Sequence, residues 1–337
     1  MITLLVVLRN EAIRYASHVL LPIANWYFYV RMNLRISRYN RQQLHLSRNC
    51  WINKNTEIHD YDAFTEKRII KRAHELSNVR FCTTTGTTGA PKKIIFTPER
   101  MSDFRWEAIS STVQLLYRYR VRKTSLFVLA SHKKDDSFSS LVLHNSGKPS
   151  YLVGLFEPAK HLNHPAMMRR IEQYGANAVR LWLAVISDPG VLYGTNPSTI
   201  SGFFSEVFVR WTETTAMIRD YYNEPDHFKD ILPILYQVAS RGYNQRIQAI
   251  AEANQPLKLT EYWPSLSAWC SWDGGYVRQY ISQVESYLPP SEYPHIPMFS
   301  MSTEALETLS YYGKRGEISF LPVGKDIVYE FLPEGSN

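Results

Sequence analysis

The run Thr83-Thr84-Thr85-Gly86-Thr87-Thr88-Gly89-Ala90-Pro91-Lys92-Lys93 constrains this chain more than any other stretch of it. It follows the β-prone run Val79-Arg80-Phe81-Cys82 and leads straight into Ile94-Ile95-Phe96-Thr97, which is β-prone too. A strand, a threonine- and glycine-rich loop ending in lysine, and a second strand predict a hairpin that grips phosphate. Gly86 and Gly89 let backbone N–H groups turn inward into a nest for an anion. Thr85, Thr87 and Thr88 add hydroxyl donors, and Lys92 or Lys93 adds charge. The kinase-type P-loop is a different object. It needs G-x-x-x-x-G-K-[ST] running into a helix, whereas here Pro91 precedes the lysines and a strand follows them.

A chain of 337 residues, 45% hydrophobic and 13% aromatic, has the material for one large domain or two ordinary ones and does not have the composition of a disordered chain. Cys50, Cys82 and Cys270 are scattered with no C-x-x-C, which points to reduced thiols in a cytosol-like compartment and away from disulfides or a zinc site. His161 and His164 have metal-ligand spacing, but only Glu157 lies near them, and structural roles are expected for both. Residues 1–50 hold seven arginines, no lysine and one acid, Glu11, so this segment carries +6 of the chain's +7 charge. The rest is nearly neutral and has no basic-aromatic platform, so a nucleic-acid partner is not expected.

The first forty residues admit three readings. Val19–Val30 is apolar and aromatic and is followed by Arg31, Arg35 and Arg38. It fits a helical pair packed on the main domain, an amphipathic segment on a membrane surface, or an Arg-rich, acid-poor transit peptide.

Further along, Thr97 as N-cap and Pro98 at the first position predict a helix through about Arg118. Ser125–Ser131 and Tyr151–Leu155 read as strands, Ala166–Tyr174 as a helix, and Ala178–Ile186 as apolar and β-prone. Asn196-Pro197-Ser198 caps an expected long helix through about Tyr221. A helix around Asn244–Glu252 follows. Leu266–Trp272 reads as a strand ending at Asp273-Gly274-Gly275, Tyr276–Tyr287 as helical, and His295–Ser300 as a strand. Glu317–Leu321 is expected to pair with Asp326–Phe331. Alternation of strands and helices predicts an α/β fold with helices on the faces of the sheet, and ligands gather at the carboxyl ends of strands in such sheets.

Four segments in order carry a resemblance: the threonine-glycine loop; Trp263-Pro264-Ser265-Leu266 with Cys270-Ser271-Trp272-Asp273-Gly274-Gly275; Ser300-Met301-Ser302-Thr303-Glu304; and Val328-Tyr329-Glu330-Phe331-Leu332-Pro333. Together they resemble the Gretchen Hagen family of acyl-acid amido synthetases, within the adenylate-forming superfamily. Tyr193-Gly194-Thr195-Asn196-Pro197-Ser198 resembles a helix entrance of its bacterial members. The resemblance spans roughly Asn55 to Pro333. It implies the large N-terminal domain of an adenylate-forming enzyme, with mixed β-sheets flanked by helices. On this reading 1–50 is a basic helical segment, and 51–337 is the acyl-activating domain, truncated after Tyr329-Glu330-Phe331-Leu332-Pro333.

The resemblance also implies roles. Thr85, Gly86, Thr87, Thr88 and Gly89 would hold the β- and γ-phosphates of ATP, and Lys92 or Lys93 would neutralise the departing pyrophosphate. Gly274 and Gly275 would let adenine lie flat against the strand end. Ser302 and Thr303 would contact nucleotide, with Thr303 on the α-phosphate. Glu304 would hold Mg²⁺, which takes one or two carboxylates beside phosphate oxygens. Read alone, Glu304 also fits a helix-start carboxylate, and Tyr329 and Phe331 fit core strand positions. The motif makes the two aromatics a wall of the nucleotide pocket. The implied reaction joins a small carboxylic acid to an amine, usually of an amino acid, in the cytoplasm. Alternatives are acyl activation for thioester or protein acylation, and a catalytically silent nucleotide-binding subunit or half of a split enzyme. Ser300 stands where the family carries a tyrosine, a place that Phe299 or Trp272 could take. The family's ribose-binding aspartate and small mobile C-terminal domain are expected to be absent, so that a partner polypeptide would supply them.

Overall fold

The computed structural model describes residues 4–49, 80–83, 93–96, 98–119, 125–129, 158–298, 308–312 and 318–321. In chain order the elements are α1 (Leu4–Asn49), β1 (Arg80–Thr83), β2 (Lys93–Phe96), α2 (Pro98–Arg118), β3 (Leu126–Val128), a 3-10 turn (Pro158–Asn163), α3 (Pro165–Tyr174), α4 (Ala176–Ser187) and β4 (Val191–Tyr193). They continue with α5 (Pro197–Val209), α6 (Trp211–Thr214), α7 (Ala216–Asn223), a 3-10 segment (Pro225–Ile231), α8 (Leu232–Val238), α9 (Tyr243–Glu252) and α10 (Leu259–Tyr262). The last are β5 (Ala268–Ser271), a 3-10 turn (Gly275–Tyr280), α11 (Ile281–Glu285), β6 (His295–Pro297), β7 (Leu309–Tyr312) and β8 (Ile318–Leu321). None of the described helices is long and apolar enough to cross a membrane.

The chain divides into two compact units, one of residues 1–23, 115–134 and 143–298, the other of 24–114, 135–142 and 299–337. The first unit is built on a parallel sheet of order β3-β4-β5-β6. Side chains alternate across each strand, so one face presents Phe127, Leu192 and Trp269 to a core that also buries Trp182, Phe203 and Trp263. Helix α4 runs through the middle of this core, touching α3, α5, α7 and α9. Residues Leu181 to Ser187 are buried without exception. The stretch read as β-prone, Ala178–Ile186, is therefore helical. A helix buried on every side carries apolar residues all round and shows no 3.6-residue period.

Caps explain where helices begin. Asn196 Oδ1 accepts the Ser198 N–H at 2.9 Å, with Pro197 at the first position of α5. His164 Nδ1 accepts the Ala166 N–H at 3.2 Å and does the same for α3. The long helix expected from Asn196 to Tyr221 is instead α5, α6 and α7, broken at Arg210 and Thr215. At the breaks, the Thr215 hydroxyl donates to the Trp211 carbonyl at 2.6 Å and the Thr214 hydroxyl to the Glu206 carbonyl at 3.2 Å, local bonds that compete with a continuing helix.

The N-terminal segment forms one helix, α1, rather than a pair, with Pro22 removing one bond from its ladder. Its first turns are sewn to the α8 region of the first unit. Arg9 donates to the Tyr236 carbonyl at 2.6 Å, Asn10 to Ala239 at 3.0 Å and Arg14 to Val238 at 2.8 Å. Burial pulls the Arg14 guanidinium below its ordinary range, and Glu11 opposes that as a partner at 2.8 Å.

In the second unit β1 and β2 pair antiparallel, with Thr83 opposite Lys93. Cys82 and Phe96 are buried. Phe28 of α1 meets Trp106 of α2 edge to face at 5.4 Å, and the Arg31 guanidinium lies 4.5 Å over the Trp106 ring. β8 pairs antiparallel with β7, Ile318 opposite Tyr312. The pairing expected with 326–331 lies outside the described residues, as does the strand expected at 151–155.

Candidate functional site

The carboxyl ends of β3 to β6 form one edge of the parallel sheet, and hydrogen bonds carry the pairing past the strand ends. The Leu129 N–H donates to Tyr193, Gly194 to Cys270, Trp272 to Thr195 and Met298 to Ser271, at 2.7 to 3.0 Å. Two loops leave this edge side by side: Gly194-Thr195-Asn196, which opens α5, and Trp272-Asp273-Gly274-Gly275, which opens the 3-10 turn.

Gly194 is fixed by packing. A Cβ there would sit 2.7 Å from Ile200 Cγ1, so only glycine lets the first turn of α5 lie this close to the end of β4. The Ser201 hydroxyl bonds Gln283 Oε1 at 3.1 Å and joins α5 to α11. The loop from Trp272 to Tyr280 is thus held at both ends.

The two glycines of that loop differ. Gly275 has a φ of +61°, a left-handed conformation that disfavours any side chain. Gly274 has a φ of −104° and a ψ of 164°, open to any residue, and a Cβ there would meet nothing within 4 Å. Neither backbone nor packing requires glycine at 274.

Beneath the loop, Ser271 and His295 form a pair. Ser271 Oγ donates to the Trp272 carbonyl at 2.8 Å and lies within hydrogen-bond distance of His295 Nε2, at 3.0 Å. The ring stacks on Trp269 with centroids 4.1 Å apart. Burial pulls His295 down to about 4, against the attraction of Asp273. On the opposite face Cys270 is fully enclosed and its thiol is pushed up by burial, so it is no nucleophile. The Tyr193 hydroxyl, bonded to Thr195, is pushed up to about 12, also by burial.

Of the residues expected in the site, Gly274 and Gly275 stand at this carboxyl edge. Lys93 is the first residue of β2, where the loop rejoins its hairpin. Thr85, Gly86, Thr87, Thr88, Gly89 and Lys92 lie outside the described residues. So do Ser302, Thr303, Glu304, Tyr329 and Phe331. Sequence reasoning quoted Thr195 and Ser271 within motifs but gave no role to Thr195, whose carbonyl holds Trp272, or to the Ser271–His295 pair. Nothing in the local pattern of either strand marks that pair. Among the described residues no group of three or more histidines, cysteines or carboxylates is placed to hold a metal ion. His161 is pulled down to about 4, first by burial and then by Lys160 and His164.

A family model described as the GH3 family N-terminal domain matches residues 76–293, more than half of the chain. The chain belongs to the GH3 family. Two of the solved structures that resemble it are acyl acid amido synthetases. One is the AtGH3.15 acyl acid amido synthetase in complex with 2,4-DB, with a TM-score of 0.50 and 16% identity over 80% of this chain and 51% of that one. The other is a GH3.15 acyl acid amido synthetase, with a TM-score of 0.53 and 14% identity over 93% of this chain and 57% of that one. This GH3 chain spans about half the length of the solved relatives it matches. At these identities the likeness is one of fold. No curated protein sequence matches the chain. The family expected from the four motifs is the family found, and the α/β fold with a parallel sheet is that of its N-terminal domain.

Proposed function

We propose that this chain takes part in ATP-dependent activation of a small carboxylic acid, with transfer of the acyl group to an amine such as that of an amino acid. The observation that carries the reading is the β1–β2 hairpin. Its register brings Thr83 opposite Lys93, so the threonine-glycine run is the segment of chain that joins two paired strands, with Lys93 the first residue of the second. A run of this composition has N–H groups, hydroxyls and charge to offer the outer phosphates. The open space at Gly274 supports a place for adenine, and Glu304 is the carboxylate we assign to Mg²⁺.

In this reading the acid's carboxylate attacks the α-phosphorus of ATP and pyrophosphate leaves with the P–O bond electrons, giving an acyl-adenylate. The amine then attacks the acyl carbon, AMP departs, and the amine proton is released. No protein nucleophile is needed. The chain's part is positioning and neutralisation of phosphate charge.

Calorimetric ATP binding with and without Mg²⁺, followed by pyrophosphate exchange across a panel of carboxylic acids, tests it. The expected result is Mg²⁺-dependent ATP binding, with exchange stimulated by a subset of acids. A chain that unfolds cooperatively yet binds no ATP at millimolar concentration would sink the reading.

A further inference from the structure

Helix α1 is apolar on two opposite sides. One side faces the protein, with Val7, Leu21, Phe28 and Met32 all buried. The other side carries Leu5, Leu8, Tyr15, Val19, Ile23, Trp26, Val30 and Leu34, every one exposed; Leu5 is 77% and Trp26 66% exposed. Their spacing of three, four and, from Leu8 to Tyr15, seven residues makes a single stripe at the helical period. At 1.5 Å per residue it is about 44 Å long. A soluble surface scatters such residues singly, and a continuous apolar stripe calls for a partner.

Charge identifies the partner. Arg31 and Arg38 flank one edge of the stripe, and Arg41 continues it beyond Leu34. The helix's one acid is Glu11, and its carboxylate already accepts from Arg14 and from the Arg241 N–H. A second copy would meet cationic rims with cationic rims and offer no carboxylate in reply. An outward-facing apolar stripe edged by arginine, with Trp26 and Tyr27 along it, matches an anionic, half-apolar surface. We propose that this stripe seats α1 on an anionic lipid surface, lying in the interface plane with its arginines among the headgroups. The proposal concerns a face of α1 and is independent of any nucleotide chemistry.

Vesicle co-sedimentation of the full chain tests it, comparing neutral phosphatidylcholine with a mixture containing phosphatidylserine. Binding is expected on the acidic vesicles alone, falling steeply as salt rises. Ile23→Ser with Trp26→Ser removes two exposed apolar anchors and should lower partitioning about tenfold or more without shifting thermal unfolding. Arg38→Gln with Arg41→Gln should lower it too and flatten the salt dependence. The salt titration needs no variant, so it stands even where a variant folds poorly. Four results would overturn the proposal: no binding to acidic vesicles, equal binding to neutral ones, binding indifferent to both double variants, or a dimer that Ile23→Ser with Trp26→Ser dissolves.

Discussion

Asp188 accepts both the backbone N–H of Ser265, at 2.9 Å, and the Ser265 hydroxyl, at 2.6 Å. Asp188 ends α4 in the left-handed region, with a φ of 47°. One residue on, the Pro189 carbonyl accepts the Trp263 indole N–H at 2.7 Å, and the Gly190 carbonyl accepts Ser267 from both its N–H, at 2.9 Å, and its hydroxyl, at 3.0 Å. Residues 263–267 are thus zipped along 188–190, immediately before β5 and β4 begin. That zip sets the register in which Val191 stands opposite Ala268. The Trp263-Pro264-Ser265-Leu266 motif therefore acts on the site at a distance. It fixes the strand whose far end carries Gly274 and Gly275.

Ser265→Ala should destabilise the first unit by about 1.5–3 kcal/mol, the range for a hydrogen bond to a charged group, because it leaves a buried carboxylate with one donor fewer. Urea unfolding measures it. Ser265→Thr keeps the hydroxyl and should recover part of the loss. A Ser265→Ala variant as stable as the parent would mean that Asp188 does not need the Ser265 hydroxyl.

Acid should weaken the fold through two histidines. His161 and His295 sit near 4 when folded and start from 6.5 when unfolded, both held down chiefly by burial. Between those values the unfolded chain takes up protons that the folded chain refuses. Stability is then fully present above about pH 6.5 and is lost as pH falls toward 4. Urea midpoints at pH 7.5, 6 and 5 should decline in that order. His161→Gln with His295→Gln should flatten the decline, whatever its effect on absolute stability. An unchanged slope in the double variant would assign the acid sensitivity to other groups.

What was legible in the sequence was what is local. The β1–β2 hairpin, α2, α3 and α9 follow from turn chemistry, a cap or a clear period, and Asn196 announced α5 through its own side chain. What was not legible depends on the rest of the molecule. Leu181–Ile186 has no polar face because neighbours cover every side of it. β4 is three residues long and is a strand only because β3 and β5 flank it. Arg210 and Thr215 break a helix with neither proline nor glycine to mark the place. At the carboxyl edge, the strand that ends before Asp273-Gly274-Gly275 was readable from its apolar run. The Ser271–His295 pair joins strands 24 residues apart, and only the parallel register brings the two side chains together.

Lys92→Ala with Lys93→Ala should weaken ATP more than AMP, because the mouth of the hairpin is assigned to the outer phosphates. Loss of a charge-assisted contact costs on the order of 1.5–3 kcal/mol, about ten- to a hundredfold in affinity. Calorimetry with both nucleotides separates the outcomes. Equal weakening of ATP and AMP would remove the hairpin from the pyrophosphate end.

Glu304→Ala should abolish the Mg²⁺ dependence of ATP binding while leaving thermal unfolding in place, since one or two carboxylates complete a magnesium site that phosphate oxygens largely build. Persistence of the Mg²⁺ effect in a folded Glu304→Ala chain would assign the ion to another carboxylate.

Gly274 and Gly275 offer the sharpest separation of fold from ligand. Gly275→Ala forces a side chain into a φ of +61° and should cost about 1–2 kcal/mol of stability. Gly274→Val meets a different situation. Its backbone lies at a φ of −104°, and a Cβ there touches no atom within 4 Å. Unfolding should be nearly unchanged, while the added side chain fills the space assigned to adenine and should raise the ATP dissociation constant tenfold or more, about 1.4 kcal/mol. Adenosine and AMP should suffer in proportion to ATP, because the clash is with the base rather than the phosphates. That distinguishes this variant from the lysine pair, where the loss tracks the outer phosphates. A Gly274→Val chain that unfolds like the parent and binds ATP as well as the parent would show that adenine does not lie on the end of β5.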